Sequence, residues 1–490
     1  MSSQRATPLT IAMIVAVAVA TRIVDFTNPV ADFDAQFYLM TGRSMLAGQL
    51  PYIDLWDRKP PGLFLLYAAL AALGGGSILA VNVAATAFAA ATALIIHAAA
   101  RFHAPSRGAT LAALAYLLML PLFGGQSGQS PVFYNLFIAA AGWLLLRALA
   151  GPAAPLRKPA FAAMLLCGLA LTIKQTSAVE GMFFGLTWLL LMHRRGERPG
   201  RLAITATVMV ALALLPTALC FAAFAMAHPS APAALFDASY LSIFRKSGPT
   251  AASRADELLY FAVTIGPLAL IAALGVARRW SGARPGALFL LGWVLAALAG
   301  YAAVPALFVH YALPLLVPLS IAAAPIFDRR WTGPALFALL ALFALSRGHI
   351  TDRAANRQSE AAYAALVRAV DAARYGGCLY VAAGPSMLYA STDACRTTRF
   401  LFPSHLTYAA EEGAIGVDQQ RELSRVLATR PAVITTQDDE RRRQSREARA
   451  LLAAALDRDY RLILSLGEQR SSTLDTLRLW QRRDLPPPPR

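Results

Sequence analysis

Hydrophobic runs of roughly 17–25 residues, the length needed to cross a ~30 Å hydrocarbon core as a helix, recur from Leu9 to Arg347 of this chain. Lipid offers a single crossing segment no way to satisfy its backbone other than a helix. Of the 490 residues, 57% are hydrophobic and 15% charged, against about 25% charged in a soluble domain. The chain is read as a multi-pass helical membrane protein. Its first run, Leu9–Val24, has one basic residue before it, no small-residue cleavage site after it and further runs behind it. That favours an uncleaved span over a signal peptide.

The net charge of +17 must be located before it is interpreted. Bases gather in alternate short loops: Arg101 and Arg107; Arg147, Arg157 and Lys158; Arg194, Arg195, Arg198 and Arg201; Arg278, Arg279 and Arg284; Arg329 and Arg330. The loops between are nearly bare, with no base in 124–130 or 301–308, and Arg245, Lys246 and Arg254 in 228–256. This is the positive-inside asymmetry of a membrane protein. It leaves nothing for a nucleic-acid partner to explain.

With the basic loops in the cytoplasm, about eleven crossings are expected, near 9–24, 77–100, 107–124, 130–150, 159–174, 177–193, 201–227, 257–277, 284–304, 306–327 and 331–347. If the first runs outward, the 25–60 loop lies outside and 77–100 returns inward to Arg101. Pro61–Gly76 then has no crossing to make, and it is short for one. It is expected to dip into the membrane, or lie along it, on the outer side. The C-terminus falls outside.

From Ser346 onward the chain turns polar. Helical periodicity at 359–374, 418–429 and 439–456 alternates with strand patterns at 378–382, 432–435, 460–466 and 474–480. The expected architecture is an all-α polytopic membrane domain, 1–347, followed by a small exterior α/β domain, 348–484. A Pro-rich tail, 485–490, is expected to be disordered. Cys378 and Cys395 fall in the exterior domain, either paired in an oxidising periplasm or as two buried thiols. Cys167 and Cys220 lie within spans as small apolar fillers.

The first polar loop is the densest in chemistry. It carries Asp32, Asp34, Asp54 and Asp57 with Arg43, Arg58 and Lys59 between segments almost free of charge. Function concentrates on loops held by a rigid scaffold. Asp34 opens a helical pattern that stops at Gly48 and Pro51. It either caps that helix, or is a boundary carboxylate that deprotonates an acceptor hydroxyl or orients a metal. Only four of the 45 basic residues are lysines, so arginine is the default cation here. Lys59, before two prolines that lead into the dipping segment, is a compact phosphate-binding charge or a snorkelling interfacial cation. Lys174 stands between two consecutive spans and is a functional candidate because of its depth, unless it pairs with Glu180. Glu180 is that partner or a second site carboxylate. His310-Tyr311 either hydrogen-bonds a sugar or phosphate, or anchors a helix at the interface. Gln126, Gln129 and Asn135 bind a sugar or solvate a loop.

These residues resemble a family: membrane glycosyltransferases of the GT-C type, in particular bacterial relatives of protein O-mannosyltransferases and of the lipid A aminoarabinose transferases. Asp34, Tyr38, Met45, Leu46 and Gly48 match its first-loop motif. Lys59-Pro60-Pro61 matches its Lys-Pro-Pro, Lys174-Gln175 its later Thr-Lys stretch, and Tyr311 with Pro314 its Tyr-x-x-Pro. The resemblance covers about residues 8–347. Many members carry a second acid in a later exterior loop, whereas Gln129-Ser130-Pro131-Val132 has none. Either Asp32, Asp57 or Glu180 takes that role, or one carboxylate suffices, which leaves metal dependence open. No cofactor is certain, and a divalent metal stays an open possibility.

The resemblance implies an inverting transfer of a sugar from a polyprenyl-phosphate donor to a lipid, glycan or protein acceptor, outside the inner membrane. Asp34, with Asp32 beside it, would supply the catalytic carboxylate. Lys59 and Lys174 would bind the donor phosphate, and Tyr38, Asp57, Glu180, Gln175, His310 and Tyr311 would line the substrate. A polysaccharide polymerase or ligase would share these features. A flippase or transporter of lipid-linked sugars would not need Asp34 as a base, and many such folds have internally related halves, which this sequence lacks.

Overall fold

The computed structural model of the chain describes residues 6–151, 155–247, 251–280, 284–304, 307–348, 352–438, 444–467 and 474–488. Among these residues, seven helices are both long and apolar enough to cross a membrane: Ile78–Ala100, Ser106–Phe123, Ser130–Ala150, Pro199–Ala227, Arg254–Arg279, Arg284–Ala302 and Val309–Phe327. Three shorter apolar helices accompany them, Pro8–Ala20, Pro61–Leu73 and Thr332–Arg347. Arg157–Ile173 and Ser177–Arg194 form a further pair broken at Lys174. The chain is a multi-pass helical membrane protein whose C-terminal part carries a small sheet, the architecture expected from its sequence.

Helix length bears on the segment expected to dip. Pro61–Leu73 has 13 residues, which span about 20 Å at 1.5 Å per residue, short of a full crossing. Pro8–Ala20 has the same 13 residues before a 3₁₀ turn at Ile23–Asp25. Length alone therefore does not separate the expected first crossing from the expected in-plane segment.

The chain divides into two compact units. The first comprises 1–24, 82–223 and 250–351. At its centre lies the helix Leu316–Phe327, with every residue buried, packed against Ser106–Met119 and Ala251–Arg279. Between apolar helices in lipid, close backbone approach does much of the work of association. A Cβ at Gly275 would stand 1.9 Å from the Ala322 carbonyl oxygen, so no larger residue fits.

The second unit comprises 25–81, 224–249 and 352–490. This division differs from the boundary expected at 347, because the first polar loop clusters with the C-terminal region. Thr27 donates to Glu360 at 2.6 Å, and Arg396 donates to Gln49 Oε1 at 2.7 Å and Ser44 Oγ at 2.9 Å. Within this unit Phe33–Leu46 packs on Pro61–Leu73. Gly42 makes the contact: a Cβ there would lie 2.7 Å from the Ala68 nitrogen and the Tyr67 carbonyl carbon. Gly42→Ala is expected to force the helices apart and destabilise the unit by about 1–3 kcal/mol. The thermal midpoint of purified protein checks this; a midpoint equal to wild type would mean that the pair yields without strain.

The sheet has the order β1-β2-β4-β3, with β1 Leu379–Val381, β2 Val433–Gln437, β3 Tyr460–Ser465 and β4 Leu477–Arg482. β1 runs parallel to β2, and β4 runs antiparallel to both β2 and β3. The helix Arg353–Arg374 packs on β2 and β4, and its Ala373 carbonyl accepts from Gln481 at 2.9 Å. Cys378 and Cys395 are disulfide-bonded, with Cα atoms 4.5 Å apart.

Three expectations change. The helix expected from Asp439 starts at Arg446 among the described residues, with Ser445 capping it; 439–443 lie outside them. Residues 485–487 of the expected disordered tail lie against the unit, because the carbonyls of Leu485, Pro486 and Pro487 accept hydrogen bonds from Arg461, Gln481 and Tyr375. Prolines lack an N–H but keep a strong acceptor. Third, the expected loop at 228–256 contains a helical stretch, Ala231–Phe236, a π turn Asp237–Leu241, and Ser242–Arg245.

Candidate active site

Local chemistry sets the first polar loop. Asp32 has extended backbone, and its side chain accepts the Ala35 amide at 2.6 Å, which makes it the cap of the helix Phe33–Leu46. Capping therefore belongs to Asp32. Asp34 lies half-buried in the first helical turn, where the helix dipole favours an acid.

One turn further on, Tyr38 is fully buried, and its hydroxyl has no hydrogen-bond partner among the described residues. Burial pushes the phenol well above its usual pKa, and the charges of Asp34, Asp57 and Asp32 push the same way. The Lys59 ammonium stands over the Tyr38 ring, 5.3 Å from its centroid, a cation–π contact. Asp57 is buried and accepts the Lys59 amide at 2.8 Å. Burial raises its carboxyl pKa while Lys59 and Arg58 pull it back down. The Lys59 carbonyl accepts from the Tyr52 hydroxyl at 2.7 Å and from Ser239 at 3.2 Å. Pro60 biases Lys59 toward extended backbone, and Pro61 starts the next helix, where a missing N–H costs nothing.

A buried ionic triad, missed at the level of sequence, adjoins this elbow. Arg58 donates through both terminal nitrogens to the two carboxylate oxygens of Glu411, and Lys246 Nζ donates to Glu411 Oε1 at 2.7 Å. Burial alone would raise the Glu411 carboxyl; Arg58 and Lys246 overcome it and hold the group well below the usual range. Two residues before Arg58, the Trp56 amide donates to the Arg399 carbonyl at 2.9 Å, and its ring meets His405 edge-on at 4.7 Å. One signal was present in the sequence: Lys246 is among the four lysines, and the scarcity that singled out Lys59 and Lys174 applied equally to it.

The remaining candidates lie in the first unit. Lys174 ends the helix Arg157–Ile173, is 4% exposed, and places its ammonium 3.8 Å from the centroid of the Tyr311 ring. His310 meets the same ring edge-on at 4.4 Å, and Gln175 is partly buried next to Lys174 in sequence. Glu180 accepts the Trp293 indole N–H at 2.7 Å. Its hydrogen-bond partner is thus an aromatic side chain, and of the two readings left open for Glu180 the ion pair with Lys174 is not formed. Asn135 is buried and donates to the Leu313 carbonyl at 3.3 Å, so that nitrogen serves the fold. Among the described residues, no group of three or more His, Cys, Asp or Glu side chains is placed to hold a metal ion.

The sequence-selected residues therefore form two groups. Asp32, Asp34, Tyr38, Asp57 and Lys59 gather in the second unit, and Lys174, Gln175, His310 and Tyr311 in the first.

Residues 58–221 match the sequence model of the dolichyl-phosphate-mannose-protein mannosyltransferase family. No curated protein sequence matches the chain. Among solved structures, the fold is similar to that of ArnT from Cupriavidus metallidurans bound to undecaprenyl phosphate. The TM-score is 0.64 at 14% identity, over 97% of this chain and 98% of that one. The oligosaccharyltransferase of Archaeoglobus fulgidus, tethered with an acceptor peptide, is similar at a TM-score of 0.50 and 11% identity, over 88% of this chain and 69% of that one. At such identities the likeness is one of fold. The chain has the fold of the GT-C type polytopic membrane glycosyltransferases, as its sequence motifs implied, and carries the mannosyltransferase family's sequence pattern over 58–221.

Proposed function

We propose that this chain is an inverting glycosyltransferase that moves a sugar from a polyprenyl-phosphate donor to a lipid, glycan or protein acceptor on the periplasmic face of the inner membrane. The cluster around Tyr38 carries the reading: one carboxylate, Asp34, a turn away on the same helix, and one ammonium, Lys59, over the ring. Transfer from a phosphate-linked sugar needs both charges. A base removes the acceptor's proton as the new bond forms, and a cation takes up the negative charge that develops on the departing phosphate.

In this reading Asp34 is the base and Lys59 the phosphate-neutralising cation. Asp32 and Asp57 hydrogen-bond the backbone that carries them and hold both in place. Within the first unit, Lys174 stands over the Tyr311 ring with His310 on the same ring; the family resemblance assigns Lys174 a phosphate-binding role and Gln175, His310 and Tyr311 a substrate-binding one. The C-terminal region and the first polar loop share the periplasmic side. The ArnT structure with undecaprenyl phosphate and the family's name speak of those proteins; they support a polyprenyl-phosphate carrier here.

The test is direct: purified protein in lipid nanodiscs, a labelled polyprenyl-phosphate sugar and a panel of lipid, glycan and peptide acceptors, with and without chelator. Transfer with inverted anomeric configuration is expected, and the chelator arm reads metal dependence. In a parallel liposome assay, movement of the intact lipid-linked sugar across the bilayer, without transfer, would support a transporter and sink the enzyme reading.

A further inference from the structure

Something must hold the Tyr38 cluster in register, and the hydrogen bonds of residues 56–59 lead to a carboxylate outside it. The Glu411 side chain is 3% exposed and shared between Arg58, 14% exposed, and Lys246, 11% exposed. The three come from separate stretches of the second unit: the first polar loop, the 224–249 segment and the C-terminal region. Arg58 lies between Asp57 and Lys59, so fixing its guanidinium fixes the backbone on both sides. Two residues before Arg58, Trp56 is tied to Arg399 through its amide. One residue after Arg58, the Lys59 carbonyl takes the hydroxyls of Tyr52 and Ser239.

Stability alone is a poor account of this arrangement. Desolvating two cations around one carboxylate is expensive, and apolar residues of similar volume often hold a fold equally well. A bidentate guanidinium–carboxylate pair, however, fixes direction as well as distance. Here the fixed direction belongs to the residue that precedes Lys59. We propose that Glu411 is a positioning residue for Lys59. Through Arg58 and Lys246 it sets where the Lys59 ammonium stands over Tyr38, so that the C-terminal region governs capture of the donor's phosphate. This rests on Lys59 being the phosphate-neutralising group.

Three variants of the full chain test it: Glu411→Gln, Glu411→Asp, and the triple Arg58→Met, Lys246→Met, Glu411→Gln, which leaves no buried charge of the triad. Donor and acceptor concentrations are varied separately, and hydrogen exchange is followed at the Trp56 and Lys59 amides. With Glu411→Gln, kcat/KM for the donor is expected to fall about tenfold to 100-fold, the scale of a misplaced group, while KM for the acceptor stays within about twofold. Exchange at both amides should accelerate, and Glu411→Asp should recover most of both effects. The triple variant keeps the protein foldable if Glu411→Gln does not fold, and should show the same loss for the donor.

A triple variant with wild-type kcat/KM for the donor would overturn the proposal. So would Glu411→Gln with an equal loss for donor and acceptor, or unchanged exchange at Lys59. If the wild type transfers no sugar at all, the functional reading fails, and exchange at Lys59 still decides whether Glu411 holds it.

Discussion

Asp34→Asn is expected to lower kcat for sugar transfer about 100-fold to 10,000-fold, the usual contribution of a positioned general base. The substitution keeps the shape of the side chain and removes its charge and its capacity to take up a proton. It leaves the helix start intact, because Asp32 rather than Asp34 accepts the Ala35 amide. Loss of a first-turn acid costs the helix only about 0.3–1 kcal/mol, so the variant should express and melt close to wild type. Steady-state rates with a saturating labelled donor, beside a thermal melt, separate chemistry from folding. Transfer near the wild-type rate in a folded Asp34→Asn protein would remove Asp34 from the chemistry.

Lys59→Met is the second large effect. Methionine retains an unbranched chain over the Tyr38 ring, so packing survives and the charge does not. If Lys59 takes up charge on the departing phosphate, kcat/KM for the donor should fall about 100-fold to 1,000-fold, as when one preorganised stabilising group is deleted. Binding of polyprenyl phosphate alone should weaken in parallel, while KM for the acceptor is unchanged. Lys59→Arg should rescue little. A planar fork does not reproduce a point charge, and the Lys59 backbone is held at both its amide and its carbonyl, so the longer side chain cannot be accommodated by shifting it. Weakened acceptor use with donor kinetics intact would assign Lys59 to the acceptor instead.

Much of the fold was legible because the physics that builds it is local. Hydrophobic length marks membrane helices residue by residue, and short apolar or alternating runs placed the four strands of the described residues: 378–382 against Leu379–Val381, 432–435 against Val433–Gln437, 460–466 against Tyr460–Ser465, and 474–480 against Leu477–Arg482. The polar loop stood out for the same reason, as charge between segments that have almost none. What stayed hidden was pairing at long range. Glu180 was open to a pair with Lys174, six positions away, or to a site role, yet its partner Trp293 lies 113 positions on. Nothing in a period or a motif marks such a contact. Nothing in the local sequence marks Glu411, and only the fold brings it to Arg58, 353 positions back. The short helical stretch at 231–245 was obscured by its brevity, since elements of four to six residues carry too few positions for a period to register.

The ties between the first polar loop and the end of the chain also impose an order on biosynthesis. Thr27 waits for Glu360, Ser44 for Arg396 and Arg58 for Glu411, each more than 330 residues later. At about 5–20 residues per second, the ribosome takes some tens of seconds to deliver those partners. During that interval the loop has left the ribosome without the side chains that will grip it. Premature termination downstream of the last membrane helix would thus yield a chain with every hydrophobic segment made and its first loop still unfastened.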